Sequence, residues 1–416
     1  MLHLLLATPA LRSPVVRHHS LYANGSFAVD TTVEVPRFEP GVEALEHLKR
    51  EGYVVVRGIA NASELDEARR LLWSFLEGAG VGVRREEPST WHRSKPNPYG
   101  IVWGFGVGHS RFMWYIRTRP RLLKMFELIW STDDLLASFE GFSMMPPPAQ
   151  ESSWQMAESW FHTDQNAKSR PGRQTVQSFT SLWDQDEGTG AFVVVPRSHK
   201  RHMEVTRRVY EARPRTDDEQ QFLMIPADDI VLRSPRKPHL VRCKAGDAVL
   251  WDSRTVHCNT PRLIQAIPWV SPARAEALEE PTPRPSRLVA YASFAPRKRA
   301  SDVVIRKRQH GLREQQTCTH WPFDYTCIPT PASRGEVASD PLLLAQPLHK
   351  HLIGYTDAQI DAWYHGRPPS GNTHADSGFD HPLPLDLQRS EHELQQILKA
   401  DQASMDASRR TDSIRS

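Results

Sequence analysis

The stretch Phe161-His162-Thr163-Asp164-Gln165-Asn166 decides how this chain folds. On a β-strand, residues i and i+2 point to the same face, roughly 7 Å apart along the chain. His162 and Asp164 can therefore converge on one ion while Thr163 points away. A second stretch, Trp251-Asp252-Ser253-Arg254-Thr255-Val256-His257, supplies an imidazole from elsewhere in the chain. Two imidazoles and one carboxylate on one face of a metal, with the other face open, are what a mononuclear iron(II) oxygenase site needs. The third ligand must come from another strand, because a facial arrangement needs a group approaching from a different direction.

His257 follows Ala248-Val249-Leu250-Trp251, a run that reads as a buried strand after the turn Lys244-Ala245-Gly246-Asp247. Two such strands delivering His side by side point to a closed β-sandwich or barrel. A second His-x-Asp, His374-Ala375-Asp376, lies among Pro369, Ser370, Gly371 and Gly378 with no apolar strand pattern, and reads as a loop coincidence. Aromatic residues precede the first pair (Trp154, Trp160, Phe161), and a strand-rich segment follows it.

Around this core the pattern is mixed. Apolar spacing predicts a helix over residues 41–50, a strand over 52–58, and a helix opened by Ser63 with Asp66 as its acidic partner, running through Leu76. Residues 82–110 read as an ordered loop and 118–138 as helical from near Pro120. Strands are expected at 139–145, 158–163, 174–183, 191–195, 230–232, 238–242, 247–252 and 287–294. Insertions are expected near 202–229 and 262–286, the second broken by Pro268, Pro272, Pro281, Pro283 and Pro285. A short helix is expected from Thr356 to Tyr364 after Leu352-Ile353-Gly354-Tyr355. The expected organisation is a leader over 1–35, one catalytic domain over 36–330, and an extension over 331–416 that is largely disordered after 367.

Composition sets the limits. At 416 residues the chain can bury a large core, and 24% charged against 39% hydrophobic residues is an ordinary globular balance. A net charge of +3 is too small to argue for nucleic acid. The basic runs Arg297-Lys298-Arg299 and Arg306-Lys307-Arg308 read as a solvated face or loop, with an anionic substrate as the alternative. Cys243, Cys258, Cys318 and Cys327 are too few and scattered for a disulfide framework, so a reducing compartment is the default. No apolar run approaches the ~20 residues of a membrane span. The leader has Arg12 and Arg17 and no acidic residue before Asp30, so a cytoplasmic location carries a mitochondrial or other organellar alternative.

Four segments, in order, resemble the phytanoyl-CoA dioxygenase family of iron(II)/2-oxoglutarate oxygenases. They are Glu51-Gly52-Tyr53-Val54-Val55-Val56-Arg57-Gly58, then Phe161-His162-Thr163-Asp164, then Gly190-Ala191-Phe192-Val193-Val194-Val195-Pro196-Arg197-Ser198-His199-Lys200, then His257 with Arg287-Leu288-Val289-Ala290-Tyr291. The resemblance implies a mainly β fold with flanking helices around a double-stranded β-helix (jelly-roll) core. It implies Fe(2+) held by His162, Asp164 and His257, with 2-oxoglutarate and O2 as co-substrates. It makes Arg287 the grip on the 2-oxoglutarate carboxylate, which a planar guanidinium can hold through two parallel hydrogen bonds. Met144, Trp183 and Asn259 are weaker cofactor-side carry-overs, and Ser198-His199 reads as a structural strand cap.

The chain also departs from the family pattern. Arg197 stands where the family has Gly in Pro-Gly-Ser-His, and Thr163 where the founding member has Gln. The gap from His257 to Arg287 is long, which leaves Arg284 as the fallback, and Thr319-His320-Trp321-Pro322 has no counterpart. Asp164 keeps the coordination position that related halogenases vacate, so hydroxylation is expected, with succinate and CO2 as co-products. The substrate classes are acyl-CoA esters, amino-acid-like solutes and secondary metabolites. The rival readings are a degenerate ligand-binding jelly-roll and a 2-oxoglutarate-independent cupin-type metalloenzyme. Oligomeric state is not readable.

Overall fold

A computed structural model describes residues 19–20, 28–147, 154, 160–212, 221–233, 237–263, 283–328 and 346–360. His374, Asp376, the centre of the 262–286 insertion and the tail after 367 lie outside the described residues, as does most of the leader.

Alternating apolar residues build two sheets. The larger orders seven strands as Arg37–Phe38, Tyr53–Val56, Ala248–Asp252, Val176–Ser181, Arg287–Tyr291, Phe142–Met145 and Ile101–Val102. The smaller orders five as Leu223–Met224, His162–Thr163, His257–Asn259, Phe192–Val194 and His239–Val241. Pairing is antiparallel except between Arg37–Phe38 and Tyr53–Val56. Tyr53, Val55, Phe179, Val249, Trp251, Val289 and Tyr291 of the large sheet pack against Phe192, Val194 and Val241 of the small one. The sheets are therefore the two halves of a jelly-roll sandwich, with one residue in two from each strand filling the space between.

The opposite parity faces outward. Leu182, Leu288, Ala290, Phe142 and Met144 meet helices Ala62–Gly78 and Arg111–Arg117 on the outer side of the large sheet. Val54, Val56, Ala248 and Leu250 do the same with Leu122, Met125 and Phe126 of helix Pro120–Trp130.

Several expectations are corrected. Helix Ala62–Gly78 is capped by Asn61 rather than Ser63: Asn61 Oδ1 accepts from Glu64 N (3.0 Å) and Glu64 Oε2 from Asn61 N (2.9 Å). The helix expected to 138 ends at Trp130, where Ser131 turns left-handed (φ 54°). Leu135–Ala137 then pairs as a strand with Phe294–Pro296. Residues 230–232 form a 3-10 turn, because the Asp229 carboxylate accepts from Val231 N (2.7 Å) and tightens the backbone. The second basic run is no solvated loop. It lies on helix Asp302–Arg313, and Arg308 is 1% exposed, with its guanidinium donating to the carbonyls of Ile353, Pro322, Ala137 and Leu352. An unexpected helix, Pro347–Ile353, precedes the last expected one, which is helical over residues 357–360 as far as it is described.

Candidate metal centre

His162 and His257 are direct partners across the antiparallel strands His162–Thr163 and His257–Asn259, with ring centroids 4.3 Å apart. Asp164 follows His162 by two residues and comes to the same face. His162 Nε2 lies 3.2 Å from Asp164 Oδ1, and His257 Nε2 lies 3.2 Å from Oδ2. One ligand atom from each of the three falls within 4.8 Å of the others.

The imidazoles are oriented by their own strands. His162 Nδ1 is 3.0 Å from the Trp160 carbonyl and His257 Nδ1 is 2.9 Å from the Thr255 carbonyl. A carbonyl only accepts, so each Nδ1 carries the proton and each Nε2 turns a lone pair toward the shared point. Trp160 stacks on His162 (4.6 Å, 14°), and Phe192 packs 5.0 Å from His257.

The carboxylate ties the sheets together. Asp164 Oδ2 accepts from Gln177 Nε2 (2.5 Å) and Trp251 Nε1 (3.1 Å), both on the large sheet. Burial pushes the Asp164 carboxyl up, but His257 and His162 beside it hold it well below the usual carboxylate range. Burial holds His257 below its ordinary value, against the pull of Asp164. A buried carboxylate with two imidazoles presenting Nε2 is the donor set that iron(II) takes.

Arg287 opens strand Arg287–Tyr291 on its inner parity, with Val289 and Tyr291. It is 0% exposed. Nε donates to Gln185 Oε1 (2.8 Å) and Nη1 reaches Ser143 Oγ at 3.4 Å, while buried Nη2 has no partner among the described residues. Burial holds its pKa below the ordinary guanidinium value. Asn259, two residues past His257 on the same strand face, leaves a buried Oδ1 without a partner among the described residues, and Tyr291 hydrogen-bonds both Asn259 and Arg287. A buried guanidinium with no carboxylate beside it among the described residues is an expensive arrangement unless an anion completes it. An incoming carboxylate on Nη2 does so, which fits 2-oxoglutarate.

The remaining assignments separate. Met144 has the outer parity and packs with Leu182, Leu288 and Phe142, so its neighbours Ser143 and Met145 face Arg287 in its place. Trp183 also lies on the outer side, its ring 3.6 Å from the Arg69 guanidinium and 4.8 Å from that of Arg284. Arg284, half-buried beside that ring, is thereby placed away from the inner face that Arg287 occupies. Ser198 and His199 are structural: Ser198 Oγ caps Val256 N (2.8 Å) and His199 Nε2 meets the Lys49 carbonyl (3.2 Å). Arg197 adopts φ 64°, a left-handed conformation that glycine enters most freely, and Glu51 holds its guanidinium at 2.7–3.1 Å.

Gln177, Tyr291 and His320 escaped sequence reasoning. Glutamine and tyrosine on strands carry no motif. The signal for His320 was the unmatched Thr319-His320-Trp321-Pro322: its ring contacts the Asp164 backbone, and its buried Nε2 has no partner among the described residues.

The family model described as phytanoyl-CoA dioxygenase (PhyH) matches residues 48–261. Ava biosynthesis cluster protein O of Aspergillus versicolor is 26% identical over 246 residues, covering 56% of this chain and 78% of that protein. EctD from S. alaskensis, solved with bound Fe, is 13% identical with a TM-score of 0.41, over 66% of this chain and 84% of its own. HygX from Streptomyces hygroscopicus, solved with nickel and 2-oxoglutarate, is 16% identical with a TM-score of 0.37, over 62% and 87%. Similarities at these scores transfer no substrate to this chain. No described helix is long and apolar enough to cross a membrane.

Proposed function

The chain belongs to the phytanoyl-CoA dioxygenase family, a family of non-haem 2-oxoglutarate-dependent oxygenases, and on that premise we propose that it hydroxylates a C–H bond of a small organic molecule. The observation that carries this reading is the pairing of two features on one inner face. One is a His162–Asp164–His257 cluster with its Nε2 atoms presented. The other is the buried Arg287 with Nη2 unmatched.

His162, Asp164 and His257 would hold iron(II), and Arg287 would bind the distal carboxylate of 2-oxoglutarate, with Asn259 and Tyr291 alongside. Bound iron(II) supplies oxidative decarboxylation of 2-oxoglutarate to succinate and CO2, coupled to oxygen insertion into the substrate. The protein's own part is orientation and exclusion of water. Gln177 and Trp251 fix the carboxylate, the backbone carbonyls of Trp160 and Thr255 fix the imidazoles, and Trp160, Phe192 and Trp251 wall the ligands with aromatic surface. Retention of Asp164 favours hydroxylation over halogenation. The Aspergillus versicolor relative, named as a biosynthesis cluster protein, supports a secondary-metabolite substrate.

The test is an anaerobic titration with iron(II) and 2-oxoglutarate, followed through the weak visible charge-transfer band. A band in the wild type, absent in Asp164→Ala and His257→Ala, supports the reading. No band from folded protein that binds iron would overturn it in favour of a 2-oxoglutarate-independent enzyme. Folded protein that binds no iron would leave a ligand-binding jelly-roll.

A further inference from the structure

Cys318 and Cys327 face each other at the base of a loop that touches the metal centre. They are partners in an isolated antiparallel bridge. The flanking hydrogen bonds run from Thr319 N to Thr326 O and from Ile328 N to Thr317 O, both 2.9 Å. The cysteines therefore occupy a non-hydrogen-bonded pair, the position where opposing Cα atoms come closest, at about 4.5 Å. That separation lies within the range a disulfide spans. Their Sγ atoms are 3.5 Å apart, in thiol–thiol contact. Cys243 and Cys258 are each packed in other clusters, Cys243 between the sheets and Cys258 outside the small one.

The enclosed residues 319–326 reach the proposed ligands. His320 contacts the Asp164 backbone. Arg170, six residues past Asp164, stacks on Trp321 (4.2 Å to the ring centroid) and pairs with Asp324. Gln221 Nε2 donates to Thr326 Oγ1 (3.0 Å). On the far side the Tyr325 hydroxyl donates to Gln316 Oε1 (2.8 Å) and fills the space a side chain at Gly311 would need. The loop is thus the joint between the segment carrying Asp164 and the helix Asp302–Arg313.

We propose that Cys318 and Cys327 are a thiol–disulfide pair whose oxidation locks the 319–326 loop against the metal centre. The oxidant is a low-molecular-weight disulfide of the glutathione type. The Cys327 thiolate attacks it, forming a mixed disulfide and releasing one small thiol. Cys318 then displaces the second, and the protein gives up two electrons and two protons while the small disulfide becomes two thiols. Cys327 suits the attacking role: it is half-buried, and the hydrogen bond from Cys318 holds its thiol below the ordinary value. Burial pushes the Cys318 thiol up, so it acts second.

The experiment uses the full chain equilibrated in buffers of stepped reduced-to-oxidised glutathione ratio, acid-quenched, alkylated and digested with trypsin. No Lys or Arg lies between Cys318 and Cys327, so one peptide, residues 314–334, carries both. Under oxidising ratios it should lose two hydrogens in mass and refuse alkylation until reduced, while Cys243 and Cys258 stay as thiols. Amide exchange across 319–326 should slow about tenfold on closure. Cys318→Ser and, independently, Cys327→Ser should abolish both effects, and Cys243→Ser should keep them. Full alkylation of both cysteines at every ratio in folded protein overturns the proposal. So does a persistent glutathione adduct without ring closure, or closure that leaves loop exchange unchanged.

Discussion

Gln177 donates its side-chain amide to Asp164 Oδ2 at 2.5 Å from the opposite sheet. The carboxylate that follows a small-sheet strand is therefore aimed by a residue of the large sheet. Groups that orient a metal ligand typically contribute 10–100-fold in metal affinity. Gln177→Leu should weaken iron(II) binding by about that factor while the fold stays intact. Competitive metal titration checks it, and unchanged affinity would mean that Trp251 Nε1 alone sets the carboxylate.

Arg287 gives a test that separates binding from folding. Its guanidinium is buried with Nη2 unpartnered among the described residues, so Arg287→Met removes an incompletely paired buried cation. Stability of the free protein should hold within about 1 kcal/mol, since replacing such a charge with an apolar side chain is commonly neutral or favourable. Saturating 2-oxoglutarate should raise the wild-type unfolding free energy by about 2.7 kcal/mol at a hundredfold excess over Kd. That gain should vanish in Arg287→Met and be much reduced in Arg287→Lys, which keeps the charge and loses the fork. Thermal unfolding with and without 2-oxoglutarate reads both, and a retained gain in Arg287→Met would point to another anchor.

Glu140 should give the protein a distinctive pH dependence. It is 8% exposed, and Oε2 accepts from Ser138 Oγ (2.6 Å) and Ser293 Oγ (2.8 Å). Burial pushes its carboxyl up to about 7 from 4.5. A raised folded pKa means that the folded state binds the proton more tightly. The stabilisation is complete below the unfolded value and is lost as pH rises through the folded one. Wild type should therefore lose up to about 3 kcal/mol relative to Glu140→Gln between pH ~4.5 and 7. Parallel pH-dependent urea curves for the two proteins would show it, and a difference that does not change with pH would sink it.

Arg308 holds the carbonyls of Ile353, Pro322, Ala137 and Leu352 together from a fully buried position. Arg308→Ala strands those acceptors and leaves a cavity, so a loss of about 3 kcal/mol or more is expected. Denaturant unfolding measures this directly. Arg306→Ala on the same helix, at a half-buried position, should cost well under half as much.

What the sequence by itself determined was the local chemistry. The two-residue spacing of His162 and Asp164 holds wherever the chain is extended, and the apolar run ending in Trp251 announced the strand that leads to His257. Most of the longer strands were legible because apolar patterning is a local property, whereas the two-residue strands Arg37–Phe38, Ile101–Val102 and Leu223–Met224 are too short to carry a pattern. Faces and partners were not. Met144 and Ser143 are equally plausible on paper, and the register of Phe142–Met145 against Arg287–Tyr291 turns Ser143 inward and Met144 out. Arg308 looked solvated in its basic run, because burial depends on which carbonyls the fold gathers around it. Gln177, from the opposite sheet, and the loop between Cys318 and Cys327, more than 150 residues downstream, both meet the Asp164 segment. Contacts of that kind arise only when strand pairing fixes which side chains share a face, so the tertiary structure alone decided them.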